Sequence, residues 1–176
     1  MADAQILMKA QTVNDEYRTA ALNRKYYGCR LQTVKRQNLT CEILLAFSSS
    51  SAVAAWSLWQ TETGSLAWKI LSAVAAIIAI VKPLLALDKD IERYSELVVG
   101  YAALYYDMRK LIADAKINSG VAAEDWARFE SFQQRMAALG VKDDLRARQK
   151  LHDRCYDEVL SEIPDSALWW PLEEIA

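Results

Sequence analysis

The side chains that could do chemistry are few, and their spacing suits little of it. A single histidine, His152, stands among Lys150, Asp153 and Arg154. That leaves no His-rich metal site and no His-dependent triad, and its setting is that of a solvated helix residue. The three cysteines, Cys29, Cys41 and Cys155, are odd in number, scattered and outside any CxxC spacing, so they read as reduced thiols in a cytosolic setting. Paired acids occur at Asp88–Asp90 and Asp143–Asp144, both expected at helix starts, where a carboxylate offsets the helix dipole. No GxSxG, phosphate-binding loop, GxGxxG or HExxH is present. The expectation is a protein that is not an enzyme, with no catalytic residue, no metal ligand and no cofactor. Basic residues 24–36 enclose Tyr26 and Tyr27. Beside an apolar segment, that mixture points to anionic lipid headgroups, and no direct contact with nucleic acid is expected.

The elements around these residues read as helices. Apolar residues make up 53% of the 176-residue chain, and only five Gly and three Pro interrupt it. Long helices with few turns follow from that composition, and no stretch alternates apolar and polar in the manner of a half-buried strand. The fold class expected is all-α: a two-helix transmembrane hairpin with a cytosolic helical bundle built from the N-terminal helix (1–41) and the C-terminal region (88–176). No cleavable signal peptide is expected, because Met1–Ala2–Asp3 opens on an acid and the apolar run starts late.

The hairpin is expected at 42–87, with spans at about 42–61 and 66–87. Ile43 to Thr61 is free of charge, and its nineteen residues reach about 28 Å as a helix, close to a hydrocarbon core of about 30 Å. Four consecutive serines, Ser48–Ser51, make this span weakly hydrophobic. The second span holds the apolar core Ile70–Val81 between Lys69 and Lys82. Those lysines lie about 20 Å apart along a helix, so each can snorkel its ammonium to an interface. Pro83 removes a backbone donor and is expected to kink or re-aim the helix as it leaves the bilayer. The short connector Gln60–Ser65 with Gly64 makes the two helices antiparallel neighbours. Trp56, Trp59 and Trp68 form an aromatic belt on the connector side, with Lys69 and Lys82 as further interfacial anchors. Residues 1–42 carry seven Lys/Arg against four acids, and the connector has no basic residue, so the positive-inside rule places both termini in the cytosol. The competing reading is a buried hairpin inside a soluble helical domain.

Beyond the hairpin, Asp88–Lys116 reads as one long helix. Its a/d series is Ile91, Tyr94, Val98, Tyr101, Tyr105, Met108, Ile112 and Ala115, widened by Leu97, Leu104 and Leu111. A stripe that wide must be covered, and within the chain the N-terminal helix offers Tyr17, Ala20, Tyr27, Leu31 and Val34; between copies, the same stripe is an assembly surface. Gly120 and Gly140 bound a helix at about 123–139, and a last helix is expected over Asp143–Glu162, with Leu145, Leu151, Cys155 and Val159 facing inward. The tail with Trp169 and Trp170 is expected to cap the bundle. In the hairpin, Ser48, Ser51, Ala52 and Ala55 form small-xxx-small pairs, as do Ser72, Ala75, Ala76 and Ala79. Such faces permit close helix packing in lipid, or line a water-filled path in an oligomer.

The layout resembles the SLATT domains, two-transmembrane effectors associated with SMODS nucleotide synthetases and SLOG sensors. The resemblance covers roughly residues 15–165 and rests on Arg24–Lys25–Tyr26–Tyr27, the tight hairpin, and the charged exit Asp88–Lys89–Asp90–Ile91–Glu92 leading into a Tyr-rich helix. It implies an inner-membrane effector of bacterial antiviral or conflict systems. Such an effector would oligomerise and permeabilise the membrane when a nucleotidyltransferase, SLOG-type sensor or reverse transcriptase partner triggers it, ending in growth arrest or abortive infection. The other expectations are a non-catalytic membrane-anchored scaffold that holds a cytosolic partner, and a soluble helical interaction domain.

Overall fold

The computed structural model describes residues 2–49, 62–118, 120–145 and 147–170. Every regular element among them is helical. They run in the order α1 (Ala2–Ser49), α2 (Glu62–Leu85), α3 (Leu87–Ile117), α4 (Ala123–Gly140) and α5 (Gln149–Glu162), followed by a 3-10 turn at Asp165–Ala167. The chain divides into two compact units: Met1–Cys29 with Arg93–Ala176, and Arg30–Glu92. The division encloses the expected hairpin, but no helix end marks position 41/42. The sequence changes from polar to apolar there without any capping or breaking residue, so α1 continues through it.

The first unit is built on the tyrosine-rich stripe of α3. Tyr94, Leu97, Tyr101, Leu104, Met108, Leu111, Ile112 and Ala115 are buried, and Val98 and Tyr105 are half-buried. Within this unit α1 supplies the cover: Tyr17 stacks on Tyr105 at 5.1 Å, and Tyr27 stacks on both Tyr94 and Tyr101 at 5.9 Å. Rings in offset stacks gain roughly 0.5–1.5 kcal/mol per pair beyond their burial. Arg24 lies over the Tyr105 ring, 4.2 Å from its centroid, so a polar interruption of the α1 series is absorbed as a cation–π contact. Gly100 lets α4 approach α3, since a Cβ there would meet the Leu139 side chain at 2.6 Å.

The end of the chain closes this unit. Trp169 and Leu168 are buried, and Asn14 Nδ2 donates to the Trp169 carbonyl at 2.6 Å. Arg18 donates to the Ile163 carbonyl and pairs with Asp165 at 2.7 Å. The tail is therefore a cap, with Trp170 exposed beside it.

In the second unit, the expected disruption by Pro83 falls three residues later. α2 ends at Leu85, and Ala86 takes φ 46°, the one positive φ among the described non-glycine residues. That conformation costs an alanine about 1–2 kcal/mol. The Ala86 amide donates to the Pro83 carbonyl, and the Asp90 amide to the Ala86 carbonyl, so the break keeps its backbone bonded.

Candidate functional site

Two arrangements stand out, one in each unit. In the second unit, α2 presents Leu66, Ile70, Val74, Ile77, Val81 and Leu84 to the outside, with Ile77 61% and Leu84 78% exposed. Steps of three and four residues place all six on one helical face, and Ile80 and Leu85 broaden it. The last described turns of α1 add Leu39, Ile43 and Phe47, also exposed. An apolar face of the length of that on α2 is far beyond the scattered exposed hydrophobes of an ordinary soluble surface and marks a contact surface.

The charges near this surface are handled locally. Lys82 Nζ bonds Glu42 Oε1 at 3.2 Å, and Asn38 Nδ2 donates to the same oxygen at 2.9 Å. Lys82 is thus paired with the acid that opens the first apolar stretch. Lys69 is exposed. Of the small residues on α2, Ala75 is buried, whereas Ser72, Ala76 and Ala79 are exposed. Ser48 and Trp68 fall on the backbones of α1 and α2, and Ser51, Ala52, Ala55, Trp56 and Trp59 lie outside the described residues. Among the described residues, no single helix is long and apolar enough to cross a membrane. One bent pair, Lys69–Leu85 with Leu87–Ile117, meets the length and composition together.

The second arrangement, in the first unit, is a polar latch. Asp143 and Asp144 sit in the loop before α5, not at its start. Tyr101 Oη donates to both Asp143 oxygens at 3.0 and 3.1 Å, and Tyr94 Oη donates to Asp144 Oδ1 at 2.8 Å. Arg93 reaches the same Asp144 oxygen at 3.0 Å, and Tyr26 Oη donates to Asp144 Oδ2 at 3.3 Å. The tyrosines also accept: the Asp144 amide bonds Tyr27 Oη at 3.1 Å, and the Arg148 amide bonds Tyr26 Oη at 3.0 Å. These bonds hold the loop open. The helix therefore starts at Gln149, six residues after the expected Asp143, and Leu145 is 103% exposed instead of facing inward. Leu151 is half-buried, and Cys155 and Val159 are buried as expected. His152 is half-buried, its ring edge-on to Tyr26 at 6.3 Å.

Burial pushes the Asp143 carboxyl above the usual carboxylate range, and the neighbouring Asp144 charge adds to this, against the hydrogen bond from Tyr101. Burial also raises the Tyr27 and Tyr101 hydroxyls, with the Asp143 charge adding to both, so both remain protonated donors. A carboxyl raised in the folded state binds its proton more tightly there than in the unfolded chain. Its contribution to stability therefore falls as pH rises from the unfolded to the folded pKa, and is restored on acidification through the same window. Asp143→Asn should remove that dependence. Unfolding midpoints compared pairwise should favour the wild type progressively as pH drops from neutral through the carboxylate range; a constant difference would refute the assignment.

The latch was not apparent in the sequence as a site, although Tyr26–Tyr27, Tyr94 and Tyr101 on facing stripes with an Asp doublet were its visible parts. Among the described residues, no group of three or more His, Cys, Asp or Glu side chains is placed to hold a metal ion. A scan against protein-family models, a search of the curated proteins and a search of the solved structures each return no match to this chain.

Proposed function

We propose that this chain is a membrane-embedded effector: a helical hairpin in the bacterial inner membrane, both termini cytosolic, that permeabilises the bilayer when copies associate on a signal from a nucleotide-synthesising or sensor partner. The observation that carries the reading is the exposed apolar face of α2, together with exposed Leu39, Ile43 and Phe47 on α1. In water such a face is a liability, whereas in lipid it is at home. The Lys82–Glu42 pair supports it further, because a lysine that keeps an acid partner costs less near a bilayer than an isolated one.

A second reading, an anchored scaffold that holds a partner without leakage, is favoured by one feature of the first unit. Tyr94, Tyr101, Met108 and Ile112, expected as an assembly stripe, are already buried. Inducible expression in a bacterium carrying a membrane-potential dye, followed by carbonate-washed fractionation, separates the readings. The effector reading expects the chain in the washed membrane pellet, with loss of potential and arrested growth. Pelleted protein with unchanged potential would leave the scaffold, and protein recovered in the supernatant would overturn both.

A further inference from the structure

The segment that follows α5 is held the way a groove holds a peptide. Its bonds to α1 and α3, which belong to the same compact unit, run chiefly through its main-chain carbonyls. Asn14 Nδ2 donates to the Trp169 carbonyl at 2.6 Å, Arg18 Nη2 to the Ile163 carbonyl at 2.8 Å, and Lys116 Nζ to the Ala167 carbonyl at 2.7 Å. Asn14 and Arg18 stand four residues apart on one face of α1, and Lys116 lies in the last turn of α3. Ile163, Leu168 and Trp169 are the buried anchors. The side-chain pair of Arg18 with Asp165 lies at the rim, where the Asp165 side chain is 82% exposed. Carbonyl bonds set the register of a bound chain and apolar anchors select its sequence. The groove therefore reads a short peptide of the type Pro-Asp-x-x-Leu-Trp.

The same segment holds its own shape. The Ala167 amide donates to the Pro164 carbonyl at 2.9 Å, the Leu168 amide to the Asp165 carbonyl at 3.1 Å, and Trp170 Nε1 to that same carbonyl at 3.3 Å. Among the described residues no backbone hydrogen bond joins the segment to α5, which closes with the Ile163 amide on the Val159 carbonyl. Pro164 is the joint, with no amide donor to lose and an extended backbone, φ −66° and ψ 164°. The seat is also imperfect. Asn14 is 1% exposed, and its Oδ1 has no hydrogen-bond partner among the described residues. Unseating the segment opens that oxygen to water, which offsets part of the cost of release. We propose that Pro164–Trp170 is an exchangeable segment: seated on its own α1 and α3 in a single copy, it seats reciprocally on α1 and α3 of a second copy and joins the two as a swapped pair. The bonds remade are the bonds broken, so exchange costs little beyond association itself. Copies are joined this way while the stripe of α3 stays buried. The proposal does not rest on the membrane reading.

The test places the photo-reactive p-benzoylphenylalanine at position 170 of the full chain, where the native Trp170 is exposed and its loss leaves the anchors in place. The chain is expressed, irradiated, run on a denaturing gel and digested. The expected product is a covalent dimer whose link maps from position 170 to the stretches of α1 or α3 around Asn14 and Lys116. Asn14→Leu with Lys116→Glu in the same chain should abolish that dimer, because one donor is lost and a carboxylate faces the Ala167 carbonyl. Co-expression of this groove-defective chain with a probe-free chain carrying Leu168→Ala and Trp169→Ala should restore it as a heterodimer, since one copy then supplies the segment and the other the groove. Links to α1 or α3 found only within monomers would overturn the proposal, as would a dimer whose link maps away from the groove. The map of the chain altered only at position 170 decides the matter even if a double variant fails to fold.

Discussion

Ile77→Asp is expected to move the protein out of the carbonate-washed membrane fraction while leaving the helical bundle folded. Ile77 stands in the middle of the exposed face of α2 and is 61% exposed. It lies eight residues from Lys69 and five from Lys82, too far along the helix for an aspartate to borrow either ammonium directly. At the centre of a membrane span an aspartate costs roughly 2.5–3.5 kcal/mol on the insertion scale, and the lost isoleucine removes a few tenths more. That total is about two orders of magnitude in the insertion equilibrium, enough to reverse a span already weakened by serine and alanine. The same substitution on a solvated surface changes stability by no more than about 0.5 kcal/mol and improves solubility. The two settings therefore predict different outcomes from one variant. Fractionation with circular dichroism reads both, Ile77→Leu should behave as wild type, and a washed pellet that retains Ile77→Asp would sink the membrane reading.

What could be read in the sequence was what local or periodic rules decide. The 3.5-residue spacing of Tyr94, Val98, Tyr101 and Met108 identified the buried face of α3, and the matching Tyr17 and Tyr27 identified its cover, because a stripe must find another stripe. Gly120 and Gly140 marked helix ends for equally local reasons. The start of the last helix was misplaced because its cause is not local. Asp143–Asp144 looks like a helix start by its charge, but hydroxyls of Tyr26, Tyr94 and Tyr101, at least 42 residues away, hold those carboxylates in a loop. The contact of Arg154 with Cys29 was invisible for the same reason: nothing in a spacing of 125 positions predicts that α1 and α5 bring the two side chains together. The apolar face of α2 was legible as composition, but its orientation became evident only once Ala75 proved buried and Ile77 exposed.

Asp144→Ala should be the most destabilising polar substitution in the first unit. The Asp144 side chain is 9% exposed and accepts from Tyr94, Tyr26 and Arg93. Its removal takes away the carboxylate that accepts from the hydroxyl of the buried Tyr94. Breaking a buried charged pair from one side costs about 3–5 kcal/mol. Arg93, whose side chain is 37% exposed, recovers part of its solvation, which puts the expected loss near the bottom of that range. Tyr94→Phe removes one donor and leaves the carboxylate its others, for about 1 kcal/mol. In the double variant donor and acceptor of one bond are removed together, so the loss should fall short of the sum by roughly 0.5–3 kcal/mol. Urea unfolding of the four proteins measures this directly, and strict additivity would show that Asp144 does not hold Tyr94. The consequence extends beyond stability. The loop that Asp144 anchors is bonded to Tyr94, and its neighbour Asp143 to Tyr101, so loosening it uncovers the aromatic stripe that a second copy would need. On the effector reading, Asp144→Ala should therefore depolarise cells at lower expression than the wild type, despite being the less stable protein.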